Sequence, residues 1–238
     1  MSSNPIVLVK DVYKSYRYGR GYVRALRGVS LEVGRGEIAC LVGPSGSGKT
    51  TLLNIVAGID FPDSGEVVVD GVNVSKLRGR ELAQYRLRKV GYVFQFFNLI
   101  PALTVWENVE LPLALAGVGK EERARTVEYL LEVVGVRHLA SRTPDSLSGG
   151  EQQRVAIARA LANKPAVVLM DEPSANIDVE NTVKIMELVA RLSKELGQSF
   201  IIATHDYIVA RSCTVSYKMR DGVVIARFTG PDVSKALL

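Results

Sequence analysis

The chain has 238 residues, of which 47% are hydrophobic and 23% charged, so it can bury a proper core as one large domain or two small ones. No apolar run approaches the roughly 18–20 residues that span a bilayer, and the start MSSNPIVLVKDVYKSY lacks the charged head and long apolar core of a signal peptide. This composition excludes a membrane-spanning chain, and the expected location is cytoplasmic.

The formal net charge of +5 gathers at the front, where Lys10, Lys14, Arg17, Arg20, Arg24, Arg27, Arg35 and Lys49 face only Asp11, Glu32 and Glu37 in the first 50 residues. Such an end suits a polyphosphate or an anionic surface, although a solvated face is the plainer reading. The basic-plus-aromatic density of a nucleic-acid binder is missing, so no nucleic-acid partner is expected. Cys40 and Cys213 have neither CxxC nor metal-type spacing and read as reduced, structural thiols, Cys40 inside a buried strand.

In chain order, PIVLVKDVYKSY, YVRALRGVSLEV and EIACLVG are short, β-branched and separated by glycine turns, which predicts strands. GEVVVDGVNV after PDSG predicts a hairpin. A basic helical stretch from Leu82 to Lys89 leads into the strand VGYVF. ENVELPLALAG and KEERARTVEYLLEVVGV have helical spacing, with Val127, Leu130, Leu131 and Val134 on one face. A glycine-headed helix follows from Ser148. Then come the strand PAVVLMDE, the helix VKIMELVARLSKEL, the strand SFIIATHD and a final pair of strands, TVSYKM and GVVIARF. Strands alternating with helices imply a mostly parallel α/β sheet. The antiparallel front and the helical middle imply two attachments to that core. The expected partition is a core and β lobe from residues 1–95 and 151–238, with an inserted helical subdomain over 96–150.

Gly43-Pro44-Ser45-Gly46-Ser47-Gly48-Lys49-Thr50 fits G-x-x-x-x-G-K-[ST] in full, between an apolar strand and the helix TTLLNIVAG that Thr50 and Thr51 open. Glycines let successive N–H groups aim inward at phosphate oxygens, and the helix start adds its positive end. Lys49 should reach the β- and γ-phosphates, and the Thr50 hydroxyl should ligate Mg²⁺. The apolar run Ala166–Met170 suits a strand buried on both faces, so Asp171 and Glu172 emerge at its carboxyl end, where α/β ligands bind. Asp171 can hold the Mg²⁺ shell, and Glu172 can polarise a water in line with the γ-phosphate. Gln95 and His205 also end predicted strands; an amide can bind metal or water, and an imidazole can bond phosphate. His138 has no such setting.

One cradle binds one nucleotide. A second glycine-rich helix start, LSGGE, makes sense if it faces a nucleotide held by another copy. Together GPSGSGKT, Gln95, LSGGEQQR, LMDE, Asp178 and His205, in this order, resemble the nucleotide-binding subunits of the ATP-binding cassette family, over essentially the whole chain. That resemblance implies a P-loop NTPase core and ATP hydrolysis with Mg²⁺. It implies a head-to-tail dimer around two ATP, with Ser148, Gly149 and Gly150 of one copy closing over the γ-phosphate in the other's cradle and Asp178 contacting across the interface. It also places an aromatic stacking residue before the cradle, where Tyr16 aligns best and Tyr13 and Tyr18 compete. An integral membrane permease subunit is the expected partner, holding the chain on the inner face of the membrane.

Two departures stand out. Glu151 replaces the usual signature glutamine, and SANID replaces the usual run ending in alanine-leucine-aspartate. The segments VGYVFQFFNLIPALTVWENVELPL and LNIVAGIDFPDSGEV look like the branch of lipoprotein-releasing, macrolide-exporting and cell-division ATPases. Of Phe96, Phe97, Leu99, Ile100 and Trp106, half are expected to pack the helical lobe and the rest to form a pocket for a helix of the membrane partner. The alternative, a soluble cassette ATPase of DNA repair or translation, usually carries tandem cassettes or a long coiled-coil insertion, and this chain has neither.

Overall fold

The fold is taken from a computed structural model that describes residues 4–19 and 21–237. The strands are β1 Val7–Tyr18, β2 Gly21–Val33, β3 Ile38–Val42, β4 Ser64–Val69, β5 Val72–Asn73, β6 Val90–Val93, β7 Val167–Asp171, β8 Ser199–Thr204, β9 Val215–Arg220 and β10 Val223–Thr229. They form two sheets. The front pairs antiparallel in the order β2-β1-β4-β5, as expected from its glycine turns. The second sheet runs β10-β9-β3-β8-β7-β6, parallel throughout except for the β10 edge hairpin.

Every residue of β3, β7 and β8 is buried, as continuous apolar runs require when both faces of a parallel sheet are covered. Their alternation sorts them between two cores. Ile38, Cys40, Val42, Val168, Met170, Phe200 and Ile202 join one cluster with the middle and late helices. Ala39, Leu41, Val167, Leu169, Ile201 and Ala203 join the other, shared with the antiparallel sheet and α1, Lys49–Val56. Moving any of these strands by one residue would exchange the two sets.

The remaining helices are α2 Gly79–Lys89, α3 Val105–Leu115, α4 Lys120–Val133, α5 Gly149–Leu161, α6 Val179–Leu196 and the short α7 Tyr207–Arg211. Their starts are written locally. Thr104 with Glu107 and Ser148 with Glu151 form capping boxes on α3 and α5, while Asp178 caps α6 through the Asn181 N–H at 2.8 Å. Gly197 closes α6 in the left-handed region that favours glycine. The α4 face predicted from Val127, Leu130, Leu131 and Val134 is buried as a unit.

One expectation changes. Cys40 and Cys213 are joined as a disulfide, with Cα atoms 6.0 Å apart, where two reduced thiols were expected. They are 173 residues apart in sequence, and β9 is laid beside β3 only by the strand order. The aromatic-rich segment after β6 divides as expected: Phe97, Leu99 and Trp106 pack on the first cluster, while Phe96 and Ile100 stay exposed. The buried amide of Asn108 fixes the course of this loop, accepting from Ile100 N–H at 2.8 Å and donating to the carbonyls of Ile100, Leu103 and Thr104.

Candidate active site

The strand order brings the sequence-predicted groups to one edge. β8 lies between β3 and β7, so His205, after β8, emerges between the glycine loop that follows β3 and the acids that end β7. β6 lies outside β7 with Val93 opposite Met170, which brings Gln95 out beside the same acids.

The loop Gly43–Gly48 folds as a concave turn with Gly46 at φ 80° and Gly48 at φ 100°. Both glycines adopt the region that L side chains rarely enter. Ser47 is buried with no hydrogen-bond partner for its hydroxyl. Lys49 is 6% exposed, and its ammonium donates to the Gly43 carbonyl at 2.7 Å and the Pro44 carbonyl at 3.2 Å. A buried ammonium held mainly by its own loop's carbonyls, with the Glu172 carboxylate 3.6 Å away, is a strong attractor for an anion. Gly43 is needed for a different reason: a Cβ there would lie 2.1 Å from the Met219 carbonyl on β9. The backbone would have to move, and overpacking of this kind costs about 1–3 kcal/mol. Gly43→Ala should therefore lower the melting temperature by about 2–12 °C in a thermal scan.

Beside the cradle, the Thr50 hydroxyl donates to Asp171 Oδ1 at 3.1 Å. Burial, followed by the neighbouring Glu172 charge, pushes the Asp171 carboxyl above its ordinary range. A hydroxyl and a half-starved carboxylate are hard oxygen donors, and Mg²⁺ takes a few of these while filling its shell with water and substrate phosphate. The residues present fit that ion.

Glu172 sits in the left-handed region at φ 46°, held by its N–H to the Ala203 carbonyl at 2.9 Å. Its two oxygens face different partners. Oε1 is 3.6 Å from the Lys49 ammonium, and Oε2 is 2.9 Å from His205 Nδ1 and accepts the His205 backbone N–H at 3.3 Å. Lysine, glutamate and histidine thus converge on one small volume at the mouth of the cradle.

Tyr16, on β1, lies against the start of α1, with its hydroxyl beside Thr51 and donating to Asp60 Oδ2 at 2.6 Å. Burial, then Asp60, pushes the phenol up to about 12. Burial works against the Asp60 carboxylate, but hydrogen bonds from Lys14 and Tyr16 outweigh it and hold that carboxyl low. Tyr16 remains 40% exposed, with the Lys14 ammonium over its ring at 5.1 Å from the centroid. Tyr13 instead crowds Gly28 on β2, and Tyr18 stands out in solvent near the end of the hairpin.

Ser148, Gly149 and Gly150 lie apart from this cluster, at the head of α5. Ser148 is exposed, and its N–H and hydroxyl both donate to Glu151 Oε2 at 2.7 Å. Ser148 in turn holds the Glu151 carboxyl below its usual range. Gly149 leaves no room for a side chain, since a Cβ would lie 2.6 Å from the Asn176 carbonyl. Asp178 is exposed and caps α6, with its carboxyl lowered by the Asn181 N–H. Sequence reasoning missed Asn176, whose side-chain amide donates to the Gln95 carbonyl at 2.7 Å, and Arg159, whose guanidinium holds the Phe97 and Asn98 carbonyls at 2.7 and 2.5 Å. No motif spacing marks either residue.

A glycine cradle feeding a helix, with a lysine inside it and paired acids two strands away, defines a P-loop nucleoside-triphosphatase. The ABC transporter family profile matches residues 26–175, and the chain belongs to that family. It is 49% identical over 212 residues to an ABC transporter ATP-binding protein of Thermotoga maritima, covering 89% of this chain and 90% of the relative. It is 45% identical to the lipoprotein-releasing system ATP-binding protein LolD of Saccharophagus degradans, covering 93% and 97%. Among solved structures, the ATP-binding cassette MJ0796, captured as a dimer in a post-hydrolysis state bound to ADP and Pi, superposes with a TM-score of 0.86 at 42% identity, covering 94% of this chain and 98% of that one. The cassette fold expected from the sequence is the fold observed, and the chain is an ATP-binding, ATP-hydrolysing subunit of the transporter type.

Proposed function

We propose that two copies of this chain clamp two ATP head to tail and drive a membrane permease that handles lipoprotein or another lipid-related cargo. The observation that carries the catalytic half is the convergence of Lys49, Glu172 and His205 at the cradle mouth. The relatives named for lipoprotein release support the choice of cargo.

In this reading Gly43, Pro44, Ser45, Gly46, Ser47 and Gly48 wrap the phosphates with backbone N–H groups, and Lys49 turns from its own loop's carbonyls to the β- and γ-phosphates. Thr51 lines the α-phosphate side, and Tyr16 stacks on the base, a contact worth about 1–3 kcal/mol that any base can supply. Thr50, Asp171 and Gln95 would hold Mg²⁺, which supplies charge neutralisation on the phosphates. Glu172 takes a proton from the attacking water, and His205 holds the γ-phosphate. The Ser148 hydroxyl and the Gly149 and Gly150 backbone of the second copy cap the same phosphate, and Asp178 of that copy meets the first across the interface. The γ-phosphate is then the glue between copies, and hydrolysis removes it.

Light scattering tests the assembly. ATP should convert monomer to dimer in a hydrolysis-deficient variant and ADP should not. A chain that stays monomeric at saturating ATP would count against the shared site.

The permease contact is assigned to the exposed Phe96 and Ile100, which flank the buried anchors Phe97 and Leu99. The loop follows Gln95, so its position changes as Gln95 engages the nucleotide. A cytoplasmic helix of the partner that packs on these side chains would bury an aliphatic-aromatic anchor of the kind that dominates interfaces. Phe96→Glu and Ile100→Glu should leave basal ATPase activity within about twofold and abolish co-purification with the permease. Retained co-purification of both variants would move the docking site elsewhere. In this reading the partner holds the chain on the cytoplasmic face of the membrane; no helix among the described residues is long and apolar enough to cross it.

A further inference from the structure

Three segments with separate tasks meet at Asn176. The first is the loop after β6. Its Gln95 carbonyl accepts the Asn176 amide at 2.7 Å, and its Phe97 and Asn98 both take left-handed backbone, at φ 59° and 49°. Neither is glycine, so this backbone must be held by its surroundings. The second segment is the tight run from Glu172 to Asp178, folded by Ala175 N–H to the Glu172 carbonyl at 3.1 Å and Ile177 N–H to the Ser174 carbonyl at 3.3 Å. The third is α5. Its Gly149 presses on the Asn176 carbonyl with no space for a Cβ, and its Arg159 grips the Phe97 and Asn98 carbonyls.

These contacts close a ring. Asn176 binds the Gln95 loop with its side chain and packs against the head of α5 with its backbone. Arg159, from the same helix, holds the other side of the Gln95 loop. The Gln95 loop and Glu172 face the chain's own nucleotide, whereas the head of α5 faces the nucleotide of the second copy.

We propose that Asn176 is a positioning residue that couples the two ATP sites of the dimer: it ties the Gln95 loop, which reads the chain's own nucleotide, to Ser148 and Gly149, which complete the partner's site. This rests on the shared-site reading above and adds to it the residue through which one site reports on the other. When Gln95 moves toward its nucleotide, the amide of Asn176 pulls the 172–178 segment with it. That segment cannot move without shifting Gly149, because their backbones are already in contact. The head of α5 therefore takes its phosphate-capping position only when the chain's own cradle is loaded. A single solvent-accessible hydrogen bond adds little to stability, but coupling between sites needs only about a 5–150-fold change in affinity. The departure at SANID, unexplained by any cross-interface contact, becomes a specific choice: an asparagine supplies an amide donor where alanine would leave the Gln95 carbonyl free.

Asn176→Ala and Asn176→Asp both remove the donor. Each should keep the parent's thermal midpoint within a few degrees and keep single-site ATP affinity, measured on dilute monomer, within about twofold. In steady-state ATPase assays the Hill coefficient should fall toward 1 and the half-saturating ATP concentration should rise at least about fivefold, with a smaller fall in maximal rate. A purely structural role would lower the thermal midpoint and leave the Hill coefficient as in the parent; that result, or an unchanged ATP dependence in both variants, overturns the proposal. Ser148→Ala separates the two claims. If it dimerises with ATP as the parent does, the shared-site reading fails. If it loses ATP-driven dimers while the Asn176 variants keep full cooperativity, that reading stands and the coupling role of Asn176 is wrong.

Discussion

Glu172→Gln should cut ATP turnover by about 10²–10⁴-fold, the range contributed by a positioned general base, while ATP still binds. The substitution preserves the size of the side chain and removes one negative charge. In the resting chain that charge is held between Lys49 at 3.6 Å and His205 at 2.9 Å. In the proposed mechanism Lys49 and His205 turn to the γ-phosphate of bound ATP, and the Glu172 carboxylate is left facing both a water and a polyanion. Taking the carboxylate away removes the base for that water and a repulsion toward the phosphate together. ATP affinity should therefore hold or rise as turnover collapses, and ATP-bound dimers should accumulate. Phosphate release and light scattering on the same sample check both halves. Parent-like turnover would remove Glu172 from the catalytic role.

Lys49→Met is the second large effect, and it acts on binding. Lys49 is almost fully buried, and methionine matches its length without needing partners for a charge. The carbonyls of Gly43 and Pro44 lose their donor, but both border a loop that water can reach once the ammonium is gone. The fold should persist, with a thermal midpoint near the parent's. The phosphates lose a charge-assisted hydrogen bond in a low-dielectric site, worth about 1.5–3 kcal/mol, so ATP affinity should fall about 10–150-fold in equilibrium titration. Retained affinity would mean that the cradle binds through its backbone N–H groups alone.

Much of this protein could be read from the chain because its rules are local. The cradle needs glycines, a lysine and a threonine within one strand-turn-helix, and that whole unit is contiguous from Ile38 to Val56. The double-sided burial of β3, β7 and β8 was legible as unbroken apolar runs, and the face of α4 as a 3.6-residue period. The head of α5 was read at Ser148, whereas α6 starts at Val179, four residues before the helix expected from VKIMELVARLSKEL, because Asp178 caps it there. Even the order of Lys49, Gln95, Asp171, Glu172 and His205 was sufficient to suggest one site, with Ser148 assigned to the nucleotide of a second copy.

What the tertiary structure alone decided are the contacts between segments that sequence distance hides. The strand order sets β3 between β8 and β9, and only then does Cys213 meet Cys40 and the Met219 carbonyl exclude any side chain from Gly43. The left-handed backbone of Glu172, Phe97 and Asn98 has no local signal, since none is glycine; each is imposed by carbonyl and guanidinium partners from elsewhere. Tyr16, which the resemblance favoured over Tyr13, lies on the side of β1 that faces α1, although register shifts in the β1 ladder break the simple alternation of faces. Sequence periodicity specifies which groups share a face, but the packing of distant strands determines which groups touch, and Asn176 reaches Gln95 only through that packing.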